Sequence, residues 1–138
     1  MEGYDKLVPS PSIDTQPHWE GLNARKYLLQ KCAECGRIRH YPRPVCDACY
    51  SMRAAWVEAS GRGTVHSWTI THHPFHPGWK GDLPYILVTA DLEEGVRMNA
   101  QLRGAQAPSL KIGAPVRIDY EVAREGLTLP VLRLLRLS

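Results

Sequence analysis

Four cysteines, Cys32, Cys35, Cys46 and Cys49, constrain this chain more than any other feature. They are all the cysteines it has, and they fall as two C-x-x-C pairs with ten residues between them, in KCAECGRIRHYPRPVCDACY. Two residues between cysteines let one tight turn aim both sulfurs at a single ion. Two such turns face to face complete a tetrahedron of thiolates. The spacing therefore predicts a zinc ribbon, with Cys32, Cys35, Cys46 and Cys49 as ligands of Zn2+. Sulfur would fill all four coordination positions, which predicts a structural ion. A redox C-x-x-C pair needs a helix start in a βαβ setting, and no such pattern surrounds either pair.

The chain has 138 residues, enough for one modest domain or two very small units. No apolar run approaches the ~20 residues of a membrane span. The opening MEGYDKLVPSPS lacks the basic-then-apolar pattern of a secretory signal. With cysteines at metal spacing, this predicts a reducing, cytoplasmic setting and no membrane partner. The formal charge is +3, concentrated in residues 25–53, where Arg25, Lys26, Lys31, Arg37, Arg39, Arg43 and Arg53 face only Glu34 and Asp47. Four thiolates and one zinc ion would bring the whole to about +1. That is a poor match to a nucleic-acid binder, whose affinity rests on phosphate neutralisation.

Three stretches follow in order: 1–26 as lead-in and helix, 27–53 as ribbon and 54–138 as a β unit. The helix is predicted to start at a cap on Asp14 or Thr15, with Pro17 tolerated in the first turn, and to end near Arg25. YLLQKC reads as a strand entering the first knuckle, and Arg37 to Tyr41 as a short return strand. Gly36 suits a positive-φ turn after the first knuckle, whereas Tyr50 stands where glycine would be easier. Beyond Ala55 the texture is β. A strand around Trp56–Val57 precedes a long one with Val65, Trp68 and Ile70. Tyr85–Leu92 and Val96–Leu102 make a hairpin around Glu93-Glu94-Gly95. A helical turn near Pro108–Leu110 precedes strands at Val116–Tyr120 and from Leu127. Counted from the Val65–Ile70 strand, five antiparallel strands with one helical insert between the third and fourth predict an OB-type barrel, so the fold class is mainly β.

Taken together, these pieces carry a family resemblance over roughly residues 15–136. The order is Trp19-Glu20-Gly21-Leu22, the first knuckle, Tyr41-Pro42-Arg43-Pro44-x-Cys46-x-x-Cys49, then Trp56-Val57-Glu58-Ala59-Ser60-Gly61-Arg62-Gly63-Thr64-Val65. His73-Pro74-x-x-Pro77-Gly78, Pro84-Tyr85, Glu94-Gly95-Val96-Arg97 and Ile112-Gly113-x-Pro115-Val116 complete it. The chain resembles the DUF35 family, a rubredoxin-like zinc ribbon joined to an acyl-CoA-associated OB-fold. The resemblance implies an accessory subunit beside a thiolase-like or lipid-transfer-protein-type partner, which would carry the catalytic groups for acyl-CoA thioesters. It implies carbon–carbon bond chemistry, with steroid side-chain retro-aldol cleavage named first. Two such chains on a partner dimer are expected from symmetry.

The residues themselves offer no catalytic set. No cysteine is left over, and no serine lies in a motif that pairs it with a base. His72, His73 and His76 cluster in THHPFHPGWKGD, but adjacent strand residues point to opposite faces, which disfavours a second metal. Phe75 and Trp79, with His73, read as anchors of a stiff contact loop, or as plugs for one end of the barrel. Trp19 reads as a core anchor or as part of a helix laid across a partner. Arg37, Arg39 and Arg43 balance the thiolates, or meet CoA phosphates or an acidic partner. Two other readings stand beside this one: an OB module holding single-stranded nucleic acid on Trp68, Trp79 and Tyr85, and a stand-alone acyl-CoA enzyme using His73.

Overall fold

Helix α1 (Gln16–Asn23) is short because its ends are set by backbone geometry. The structure, a computed structural model, describes residues 6–135. Thr15 occupies the N-cap position, but its side chain makes no cap hydrogen bond. Its hydroxyl instead accepts from the Ser12 N–H at 2.8 Å, so the expected side-chain cap is absent. At the other end Lys26 N–H donates to the Gly21 carbonyl and Arg25 N–H to the Leu22 carbonyl, with Arg25 at φ 59°. This is a Schellman closure built without glycine. It ends the helix two residues before the predicted limit.

The ribbon sheet has the order β2–β1–β3, from β1 (Leu28–Cys32), β2 (Ile38–Arg39) and β3 (Ala54–Glu58). The return strand is shorter than the predicted Arg37 to Tyr41. The strand around Trp56–Val57 pairs antiparallel with β1, Gln30 opposite Trp56, and takes no place in the barrel.

The barrel strands are β4 (Arg62–Thr71), β5 (Tyr85–Leu92), β6 (Arg97–Leu102), β7 (Pro115–Arg124) and β8 (Leu127–Leu134). They close in the order β4–β5–β6–β8–β7. All pairings are antiparallel except β6 with β8, where Gln101 faces Val131 and Leu102 faces Leu132. This is the five-stranded OB-type barrel expected from the sequence. The short helical turn falls at Ala107–Ser109, and a second 3-10 turn at Pro77–Asp82 was not foreseen. Alternation fills the interior: Met98, Ala100 and Leu102 of β6 are buried, as are Val88, Ala90 and Leu92 of β5. Leu22, Tyr27 and Leu29 join these in one continuous core.

Several bonds fix the helix and ribbon to the barrel. Asn23 Nδ2 donates to the Gly126 carbonyl, and its Oδ1 accepts from the Thr128 N–H, at 3.1 and 3.0 Å. Asn99 N–H donates to the Tyr41 hydroxyl at 3.2 Å. Ser60 N–H donates to the Glu94 carboxylate at 2.8 Å.

Candidate metal centre and contact surface

The two knuckles are near copies of one another. Gly36 N–H donates to the Cys32 carbonyl and Tyr50 N–H to the Cys46 carbonyl, at 3.0 and 2.9 Å. Each turn needs a residue with positive φ, supplied by Gly36 at 79° and by Tyr50 at 63°. The doubled turn carries the four sulfurs to one point, with all ligand atoms within 4.8 Å of one another. Cys32 and Cys49 Sγ are 3.5 Å apart, and Cys35 and Cys46 Sγ 3.6 Å. A zinc–sulfur bond of about 2.3 Å implies tetrahedron edges of about 3.8 Å, whereas a disulfide needs about 2 Å. No disulfide joins the four cysteines, and their spacing fits a metal.

Their electrostatics fit it as well. Backbone N–H groups, Cys35 first, draw the Cys32 thiol down to about 6. Those of Cys49 and Ala48 lower Cys46. At Cys49 the Ser51 N–H lowers the thiol, but the Cys32 sulfur, burial and the other two sulfurs outweigh it and raise it to about 12. Four crowded sulfurs cannot all ionise unaided, and a divalent cation removes that penalty. Zn2+ bound by Cys32, Cys35, Cys46 and Cys49 would lock both knuckles and leave no ligand position for a substrate.

Residues 56–121 match the family described as the ChsH2 C-terminal OB-fold domain, and residues 19–52 the ChsH2 rubredoxin-like zinc ribbon domain. A solved structure described as an Ltp2-ChsH2(DUF35) aldolase superposes with TM-score 0.84 at 37% identity, covering 92% of this chain and 98% of that one. The chain is a member of the DUF35 family. The 3-oxo-4,17-pregnadiene-20-carboxyl-CoA hydratase alpha subunit of Mycobacterium tuberculosis is 41% identical over 114 residues, 83% of this chain and 36% of that protein. The benzoylsuccinyl-CoA thiolase subunit BbsA of Geobacter metallireducens is 33% identical over 75 residues, 54% of this chain and 48% of that protein. The DUF35 chain thus spans under half the length of either curated relative.

The predicted contact residues fall in three places. Trp19 and Trp79, sixty positions apart in sequence, line one cleft between α1, the ribbon and the outer face of the barrel. Trp79 also stacks on Tyr85 with ring centroids 4.7 Å apart, and Lys6 lies over its face at 4.9 Å. His73 and Phe75 stand apart from that cleft, on the exposed β4–β5 loop, edge to face at 4.8 Å. Phe75 is 81% exposed, so it is no barrel plug. His76 is occupied locally: its Nδ1 accepts from the Gly78 N–H.

The three arginines separate. Arg37 is exposed and pairs with Asp47 at 3.3 Å, and Arg43 is exposed. Arg39, expected beside them at the surface, is 4% exposed. Its Nε donates to Gln30 Oε1 at 2.6 Å and its Nη2 to the Arg43 carbonyl at 3.1 Å. Gln30 Oε1 also accepts from the Arg43 N–H at 2.7 Å. Arg39 therefore braces the loop that presents Arg43. Among the described residues, the four cysteines are the only cluster of three or more metal-ligating side chains, and no histidine belongs to it.

Sequence reasoning did not single out a histidine–tyrosine cluster under α1. His18 and Tyr27 are buried, and His40 is partly so. His18 Nδ1 donates to the Leu28 carbonyl at 3.0 Å, and Tyr27 OH and His40 Nε2 share a 2.7 Å hydrogen bond. Burial, then the neighbouring His18, holds His40 down at about 3, and burial also lowers His18. Both therefore fold neutral. An unfolded chain protonates His40 below about pH 6.5 while the folded chain leaves it neutral until near pH 3, and His18 acts in the same direction. Stability is thus expected to fall on acidification through that window, by about 1 kcal/mol per pH unit. Urea unfolding at pH 7 and pH 5 checks it, with His40→Gln as reference. The thiols titrate alike in both proteins, so an unchanged slope in the variant would remove His40 from the account.

Proposed function

We propose that this chain is a non-catalytic, zinc-dependent accessory subunit of a thiolase-superfamily complex acting on acyl-CoA thioesters. The carrying observation is the four-sulfur centre, which consumes every cysteine and leaves no open metal position. In addition, no serine or threonine hydroxyl bonds a histidine among the described residues, so no Ser–His or Thr–His pair is assembled. Kinship with an aldolase complex and with CoA-ester subunits supports the partner class. Steroid side-chain retro-aldol cleavage is the version named first, supported by a relative described as an aldolase, while another is described as a hydratase subunit for a pregnadiene-carboxyl-CoA.

In this reading the partner holds the reacting carbons, and this chain stabilises it and helps shape the CoA-ester site. Trp19, Arg37, Arg43, His73, Phe75 and Trp79 supply contacts, with Arg39 as brace. Two copies sit on a partner dimer in the cytoplasm. Gentle affinity purification of the tagged chain from its native host should bring down a thiolase-like protein in near-equal amount. Recovery of the chain alone would defeat the proposal. Thioester turnover by the purified chain, lost on changing His73, would favour an enzyme in its own right.

A further inference from the structure

A second groove, of ≈ 710 Å³, runs between the ribbon and the barrel. Arg37, Arg39 and Arg43 line it from β2 and the loop between the knuckles, and Arg97 lines it from the start of β6. Asp47 and Asp91 line it as well, but both carboxylates are already taken. Asp47 pairs with Arg37 at 3.3 Å, and Asp91 with Arg97 at 2.6 Å. Arg39 and Arg43 make no ion pair among the described residues.

One buried and one exposed positive charge are therefore left unbalanced. Arg39 is 4% exposed, and two of its nitrogens donate only to neutral oxygens, Gln30 Oε1 and the Arg43 carbonyl. Its Nη1 is buried with no hydrogen-bond partner. A guanidinium taken out of water without a counter-ion is costly. Arg39 is too enclosed for a visiting group to touch, so its charge acts as a field, which protein attenuates far less than water does. The accessible cation beside it is Arg43. The Arg43 side chain is exposed, but its backbone is pinned: the N–H donates to Gln30, the carbonyl accepts from Arg39, and Pro42 and Pro44 flank it. A guanidinium fork held at its base gives up less entropy on pairing with a carboxylate.

Asp47 and Asp91 repel a compact phosphate or a nucleic-acid backbone, whose binding needs a strongly positive surface. Ile38, Gly95 and Val96 add uncharged lining. A single carboxylate carried on a polypeptide, with apolar neighbours to cover those residues, suits this mixture. Resting on the accessory-subunit reading, we propose that this groove docks an acidic segment of the protein partner, with one Asp or Glu carboxylate paired to the Arg43 guanidinium.

The test uses the zinc-loaded full chain and the thiolase-like protein it captures from the native host. Arg43→Glu should cut that capture by about tenfold or more, with zinc content unchanged because only an exposed side chain is altered. Should Arg43→Glu lose zinc, Arg43→Gln takes its place. Arg124→Glu makes the same charge change at the end of β7 and should cost less than about twofold. Arg43→Lys puts an amine in the groove, and a carbodiimide should then join it to an aspartate or glutamate of the captured protein. At matched ionic strength, phosphate should release the complex no better than chloride, and nuclease should leave it intact. Capture unchanged in the variant that keeps its zinc, or carbodiimide cross-links confined to this chain, overturns the proposal while the accessory-subunit reading stands. Specific release by phosphate would assign the groove to a free oxyanion, and release by nuclease to a nucleic acid, and either overturns it as well. If the wild-type chain captures no thiolase-like protein, the reading itself fails and the proposal falls with it.

Discussion

Replacing Cys46 with serine is expected to empty the metal site and unfold the ribbon while sparing most of the barrel. Cys46 is fully buried, and its sulfur accepts from the Ala48 N–H at 3.4 Å and sits 3.6 Å from Cys35 Sγ. Serine offers a shorter, harder ligand that zinc binds poorly beside three thiolates. The ribbon has little to fall back on: β2 has two residues, and the second knuckle carries no strand. Structural zinc contributes on the order of 10 kcal/mol to such folds. The metal content should therefore drop from about one ion per chain to near zero. The Gly36 and Tyr50 amides, which close the two knuckle turns, should lose their protection from hydrogen exchange. Val88 and Ala90, deep in the barrel, should keep much of theirs. A variant that stays folded with full zinc would refute the ribbon assignment.

Gly63→Ala is expected to produce the largest loss of stability from one added methyl group. Gly63 pairs with Leu92 on one side and Val116 on the other. A Cβ there would collide with the Asp91 carbonyl oxygen, and would lie 3.1 Å from the Asp91 carbonyl carbon and 3.2 Å from the Leu92 Cα. All three are backbone atoms held in the β4–β5 ladder, so the clash is relieved only by parting the strands. A cost of about 3 kcal/mol or more follows, read as a lower urea midpoint. Gly61→Ala is the control. Its Cβ meets nothing within 4 Å, but its φ is +83°, so about 1 kcal/mol is expected from conformation alone. Equal costs at the two sites would show that strand spacing at Gly63 is not what glycine protects.

These effects also show which parts of the molecule the residue order made legible. The cysteine spacing, the barrel strands and the Tyr50 anomaly each rest on local chemistry: a ligand turn, a two-residue alternation and a positive-φ position. Tyr50 now has its reason, since it mirrors Gly36 in the second knuckle. What escaped was set by distant neighbours. The strand at Ala54–Glu58 looks like barrel sequence, and only the folded ribbon brings β1 within its reach. Arg39 looks like Arg37 and Arg43, yet its register opposite Gln30 turns it inward. His18 lies four residues before buried Leu22, on the same helix face, and that spacing was the available sign of a core histidine. Nothing local announces that Trp19 and Trp79 share a cleft.

Between Glu58 at the end of the ribbon sheet and Arg62 at the start of the barrel the chain has only Ala59, Ser60 and Gly61. The Ala59 N–H is tied back to the Tyr27 carbonyl at 2.8 Å and Ser60 to Glu94, while Asn23 and Tyr41 bridge at other points around the same joint. A hinge held on several sides does not swing. Whatever surface the two halves present together is fixed in angle before any encounter, so the entropy of aligning them is lost during folding and not at association. Cutting those ties one at a time should loosen the joint and slow capture of a partner while each half keeps its own shape. In mechanical terms the molecule is a bracket, and its useful property is stiffness.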